Sequence, residues 1–100
     1  MPLTESQKKF LRGLGHKLQP TILVGEAGIS DALLKEFDST IGHHELIKVR
    51  VRAGSRSDRD AIFDELCRRG SAILVSRIGN TALLYRLNDD KPRITLPDQH

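Results

Sequence analysis

Gly25-Glu26-Ala27-Gly28 is a G-x-x-G turn between an apolar run and a serine able to cap a helix. Glycines let a backbone approach a ligand closely, and a helix start offers unpaired N–H groups to an anion. The chemistry this permits is capture of a phosphate by main-chain donors. Glu26 opposes it locally through its charge. The turn is too short for a Walker loop, lacks the closing GKS/T, and does not have the spacing of a dinucleotide fingerprint. Taken alone, it also reads as an ordinary strand-to-helix connection.

Two cationic strips accompany the turn. Lys8, Arg12 and His16 recur every four residues, which is one face of a helix, with Lys9 and Lys17 beside them. Lys48, Arg50 and Arg52 alternate with Ile47, Val49 and Val51, the pattern of a half-buried strand with a charged outer face. Either strip is a solvated surface by default. Either could also follow a polyanion and release its counterions.

Other chemistries are weaker. His43-His44-Glu45 invites a metal or acid–base reading, but adjacent residues point in divergent directions and no second ligand cluster exists. Histidines closing a helix, favoured by its dipole, fit better. Cys67 shares an apolar face with Phe63 and Leu66, as a buried structural thiol would. No acid, base and nucleophile set assembles, so neither an enzyme nor a cofactor or metal is expected.

The elements that must position these residues follow from periodicity. Thr4 with Gln7 is a capping box that opens a first helix, with Phe10, Leu11, Leu14 and Leu18 facing the core and Pro20 as its latest end. Thr21–Gly25 reads as a short strand. Ser30 caps a second helix carrying Ile29, Leu33, Leu34, Phe37 and Ile41 inward, closed by Gly42 and the histidines. Leu46–Arg52 is the charged strand. Ser57 with Asp60 opens a third helix, ended by Gly70 at its C′ position. Ala72–Ile78 and Thr81–Arg86, split by Gly79-Asn80, form a hairpin. Tyr85 reads as core with its hydroxyl at an edge. Ile94 and Leu96 are candidates to dock the polar tail.

The expected class is α/β, an α-β-α-β-α-β-β order with a four-stranded mixed sheet packed by helices. The strand order does not follow from the sequence. A chain of 100 residues with 38% hydrophobic and 29% charged residues has room for one core and sits far from the disordered corner of composition. The expectation is one domain over residues 1–96, with 97–100 a loose tail. No apolar run is long enough to span a bilayer, no secretory signal is expected, and a single cysteine suits a reducing, cytoplasmic setting.

Net charge is only +3, but its distribution is blocked. Residues 1–25 sum to +3 (four cations less Glu5), 26–47 to −4 (one cation less five carboxylates) and 48–56 to +4 (four cations, no carboxylate). A polarised surface of this kind suits a polyanionic partner.

Three segments in this order, QKKFLRGLGHKLQPTILVGEAGIS (7–30), HHELIKV (43–49) and IGNTALLYR (78–86), resemble the CRM domain family in its stand-alone bacterial, YhbY-like form. The resemblance covers roughly residues 3 to 96. It implies an RNA-binding module with a fold similar to the C-terminal domain of bacterial translation initiation factor three. Bacterial members are associated with precursors of the large ribosomal subunit, and plant relatives are multi-domain group II intron splicing factors. In the family the G-x-x-G turn is compared with the KH loop, and the basic first helix is taken as part of the same RNA surface. Both are present here. Many relatives carry a basic or polar residue where this chain has Glu26-Ala27, which leaves phosphate contact to the turn's backbone.

The resulting expectation is a monomeric ribosome-assembly factor for the large subunit. RNA contacts fall to Lys8, Lys9, Arg12, His16, Lys17, the turn Gly25, Glu26, Ala27, Gly28, and, if their face is open, Lys48, Arg50 and Arg52. The partner is RNA, specifically ribosomal RNA of the large-subunit precursor, with ribosomal proteins as further neighbours and no membrane. Binding led by shape and charge is expected, since no aromatic platform is evident. The alternative is a protein–protein module of a ribosome-associated complex without direct RNA contact.

Overall fold

Seven elements appear in the computed structural model, which describes residues 2–97. They are α1 (Glu5–Gly15), β1 (Pro20–Val24), α2 (Asp31–His44), β2 (Leu46–Val51), α3 (Arg56–Arg69), β3 (Ile73–Ile78) and β4 (Thr81–Tyr85). The strands form one mixed sheet in the order β1-β2-β4-β3. β1 and β2 run parallel, and β4 is antiparallel to both β2 and β3. The α/β class with three helices and a four-stranded mixed sheet is therefore the one the element order implied.

Strand alternation divides the interior into two cores. On one face Ile22, Val24, Ile47, Val49, Val51, Ala82 and Leu84 pack against Phe37 and Ile41 of α2 and Phe63 and Leu66 of α3. On the other, Leu46, Val75, Leu83 and Tyr85 pack against Leu11 of α1 and Leu96 of the tail, with Ile94 alongside.

The capping box of α1 forms as expected: Gln7 N–H donates to Thr4 Oγ1 at 3.1 Å and Thr4 N–H to Gln7 Oε1 at 3.0 Å. Gln7 also donates through Nε2 to the Pro97 carbonyl at 3.1 Å, so one side chain closes the helix start and holds the tail. Residues 98–100, the rest of the tail expected to be loose, lie outside the described residues.

The apolar stripe of α1 is narrower than expected. Its buried positions are Gln7, Leu11 and Gly15, whereas Phe10 and Leu14 are 40% and 41% exposed. The reason is Gly15. A Cβ there would stand 2.7 Å from Leu83 Cδ2, so the helix rests on the sheet along one close line and its flanks stay open.

Two other boundaries differ. Ser55, not Ser57, caps α3, accepting from Asp58 N–H at 3.1 Å. Both serines have an aspartate three residues on, and the observed choice leaves Asp60 to pair with Arg77. Gly70 is not the left-handed residue after α3: its φ is −93°, and Ser71 takes the positive φ of 52°. Glycine is needed at 70 for space, because a Cβ would overlap the Phe37 ring. The two histidines close α2 as expected, with Gly42 inside its last turn.

The sequence grouped Glu45 with two histidines, and the structure gives it a different role. Its backbone has a φ of 66°, its side chain is fully buried, and its carboxylate accepts N–H bonds from Asn88 (2.7 Å), Arg93 (2.6 Å) and Ile94 (2.8 Å). These bonds draw the tail back across the α1 side of the sheet. Charge-assisted bonds of this kind contribute about 1.5–3 kcal/mol each, enough to offset the strained backbone. Glu45→Ala should lower stability by about 3 kcal/mol in urea unfolding and open residues 88–97 to protease. A loss below about 1 kcal/mol would mean that Leu96, Ile94 and the Gln7–Pro97 bond hold the tail without Glu45.

Candidate nucleic-acid interface

The two cationic strips meet on the α1 side of the sheet. Because Ile47, Val49 and Val51 face the α2/α3 core, Lys48 and Arg50 must face the other way. α1 covers only part of that face. Between its C-terminal half and the sheet lies a groove of about 640 Å³ that brings together Arg12, His16 and Lys48 with Pro20, Ser76 and Ile78. None of the residues lining it is a carboxylate.

From this groove the charge continues along β2. Pro20 pairs with Lys48, Leu23 with Arg50 and Val24 with Val51. Arg52 N–H then donates to the Val24 carbonyl at 2.8 Å, which seats Arg52 beside the start of the glycine turn. Gly25 lies five residue steps beyond Pro20 along β1, roughly 16 Å at strand rise. The turn and the helix therefore do not share one groove. Lys48, Arg50 and Arg52 bridge the distance between them.

Gly25, Glu26 and Ala27 are exposed and Gly28 is half-buried, with the Gly28 N–H closing the turn on the Gly25 carbonyl at 3.0 Å. Gly28 has a φ of +83° and needs glycine for that alone. Gly25 has no positive φ, and a Cβ there would meet nothing within 4 Å, so the fold itself does not require glycine at 25. On its other side the turn faces the start of α3, where Glu26 and Asp58 line a shallow hollow with Gly54. That side is acidic and unsuited to phosphate.

Among the described residues, Lys9, Arg12, Lys17, Lys48, Arg50 and Arg52 form no ion pair, while Lys8 Nζ lies 3.8 Å from Glu5 Oε1 and is partly neutralised. Three arginines of the opposite side are engaged, while Arg56 and Arg68 of α3 are exposed without an ion pair among the described residues. Arg86 binds Asp38 and the Gly70 carbonyl, Arg69 binds Glu65, and Arg77 pairs with Asp60 while lying 4.8 Å from the Phe63 ring centroid. His16 caps the C-terminal end of α1 and is exposed.

Sequence reasoning did not single out Ser76, Ile78 and Thr81, which complete the groove. Ile78 is 85% exposed at the end of β3. The only signal was its place directly before the hairpin turn. Tyr85 also differs from expectation: its hydroxyl is buried without a partner rather than set at an edge, and burial, then Glu45, raises its pKa.

With this geometry in place, comparison with known proteins is decisive. The model of the CRS1/YhbY (CRM) domain matches residues 3–86. The chain belongs to the CRM domain family. A protein of Pseudomonas aeruginosa described as a probable RNA-binding protein is 43% identical to this CRM domain over 88 residues, covering 88% of this chain and 85% of the relative. An RNA-binding protein of Haemophilus influenzae is 37% identical over 95 residues, 95% of each chain. The solution structure of a hypothetical protein from Staphylococcus aureus superposes with a TM-score of 0.80 at 33% identity, covering 96% of this chain and all of that one.

The remaining candidates of this CRM domain are the two histidines and Cys67. His43 and His44 are exposed, with ring centroids 4.7 Å apart. Among the described residues no group of three or more His, Cys, Asp or Glu could hold a metal ion, and no helix is long and apolar enough to cross a membrane. Burial, and then Asp64, push the Cys67 thiol up to about 11 from 9.0. The protonated thiol therefore favours the fold fully below pH 9.0, and that contribution is lost as pH rises toward about 11, because the unfolded chain ionises first. Cys67 should resist iodoacetamide at about pH 8 in the native protein and react readily in urea. Equal rates in the two states would show an exposed, activated thiol.

Proposed function

We propose that this CRM domain binds RNA without catalysing a reaction, along a track running from the α1 groove, over Lys48, Arg50 and Arg52, to the glycine turn. The carrying observation is the row of cations free of ion pairs on the one sheet face that α1 leaves partly open. Lys9, Arg12 and Lys17 neutralise phosphates with His16 as a donor, and the exposed backbone of the Gly25–Gly28 turn approaches the strand, the Gly28 N–H remaining bound to the Gly25 carbonyl. Relatives described as RNA-binding proteins support the same reading. We further propose that the RNA is large-subunit ribosomal precursor, met in the cytoplasm by a monomer. A second reading, docking to a ribosomal protein, is favoured by one observation: Phe10 and Leu14 stand exposed on the outer flank of α1.

Affinity for single-stranded RNA should fall steeply with salt, with a logarithmic slope of about −4 if six phosphates are neutralised. Lys9→Glu with Arg12→Glu should reduce that slope by about 1 or more. Gly25→Ala should weaken binding at an unchanged slope and unchanged melting temperature. An unaltered slope in the double variant would remove α1 from the track. In cells, crosslinking followed by sequencing should recover large-subunit ribosomal RNA; recovery of messenger RNA alone would refute the assembly role, and recovery of none would favour the protein-docking reading.

A further inference from the structure

We propose that the groove between α1 and the sheet is a pocket for one unpaired nucleobase of RNA, which makes this CRM domain selective for single-stranded over duplex RNA. The inference rests on the RNA-binding reading and adds a base-binding site to it.

The sheet beneath the groove runs in two rows across three strands, with Arg50 just beyond the groove's lining. Lys48, Leu83 and Ser76 are paired neighbours in the first row, and Arg50, Thr81 and Ile78 in the second. At strand and sheet spacing the rows make a patch of about 10 Å by 7 Å. Each row has a cation at one end. Ile78 supplies the exposed aliphatic surface, with Leu83 buried beneath α1 at its back, and the Ser76 and Thr81 hydroxyls stand beside it, each able to donate or accept. Arg12 and His16 form the wall from α1.

A phosphate chain alone has no use for such a floor. Ile78, at 85% exposure, is the most exposed of the large apolar residues, yet it sits within a cationic rim. Leu23, half exposed on β1, extends the same face toward the turn. A nucleobase has flat apolar faces and a polar edge, and its ribose carries a phosphate on each side. That combination matches an aliphatic floor, hydroxyls at the edge and a cationic rim without carboxylates. The volume of about 640 Å³ lies within the ordinary range for small-molecule sites. The chain's aromatic residues take no part: none lines the groove, and the stacking surface is aliphatic. In duplex RNA the bases are stacked and paired, so they cannot enter.

The test is fluorescence anisotropy of the full chain with an oligouridylate and with a blunt RNA duplex of equal phosphate number. The single strand should bind more tightly. Ile78→Ser should lower single-strand affinity about tenfold, leave duplex affinity within about twofold, and leave the melting temperature unchanged. Thr81→Val should alter the ranking of homopolymers while preserving the salt slope. Polyglutamate of equal charge should displace the oligouridylate poorly. The base pocket is overturned if Ile78→Ser leaves single-strand affinity intact, lowers both affinities equally, or if polyglutamate competes as well as RNA; in each case RNA binding itself stands. If the unsubstituted protein binds neither RNA, the RNA-binding reading fails and the pocket with it.

Discussion

The period-two alternation of β2 is the constraint on which the rest depends. Its odd-numbered residues must fill the core beneath α2 and α3, so Lys48 and Arg50 are committed to the opposite face. Two cations on an inner strand cannot be roofed by an apolar helix without heavy desolvation. α1 therefore lies over Leu83, Tyr85 and Leu46 and leaves the Lys48–Arg50 end of the sheet open. The groove, the charged row and its continuation toward the glycine turn are consequences of that one incompatibility.

The two sides of the sheet then treat their arginines differently. Against α2 and α3, the guanidinium groups of Arg77 and Arg86 are held by carboxylates, a carbonyl and one aromatic ring. Against α1, Arg12 and Arg50 have no such partner among the described residues. Internal pairing weakens the field of the first pair and leaves that of the second undiminished. The α1 side thus carries a cationic strip able to attract and orient a polyanion.

Much of this was legible in the sequence, because local rules decide it. The capping box at Thr4, the cap at Ser30, the alternation of β2 and the hairpin at Gly79-Asn80 each depend on near neighbours. What was not legible depends on partners far along the chain. The narrow seat of α1 follows from Gly15 meeting Leu83, and the cap of α3 is resolved by Arg77 claiming Asp60. The glycine turn and the helix were expected side by side; their separation and the bridge between them required the strand register. The exposure of Ile78 was not legible either, because a run of apolar strand residues does not reveal which of them a helix fails to cover.

Glu45 recognises the C-terminal segment through amides of the main chain at 88, 93 and 94 rather than through side chains. The latch itself is blind to amino-acid identity, with proline the exception because it brings no N–H. Asn88 and Ile94 are held further by their side chains, through the Gly42 carbonyl and the α1-side core, so position 93 and its exposed neighbours are the ones free to change surface charge while the segment keeps its path. The α1 face can acquire a new chemical lining at its lower edge without any change in the scaffold that carries it.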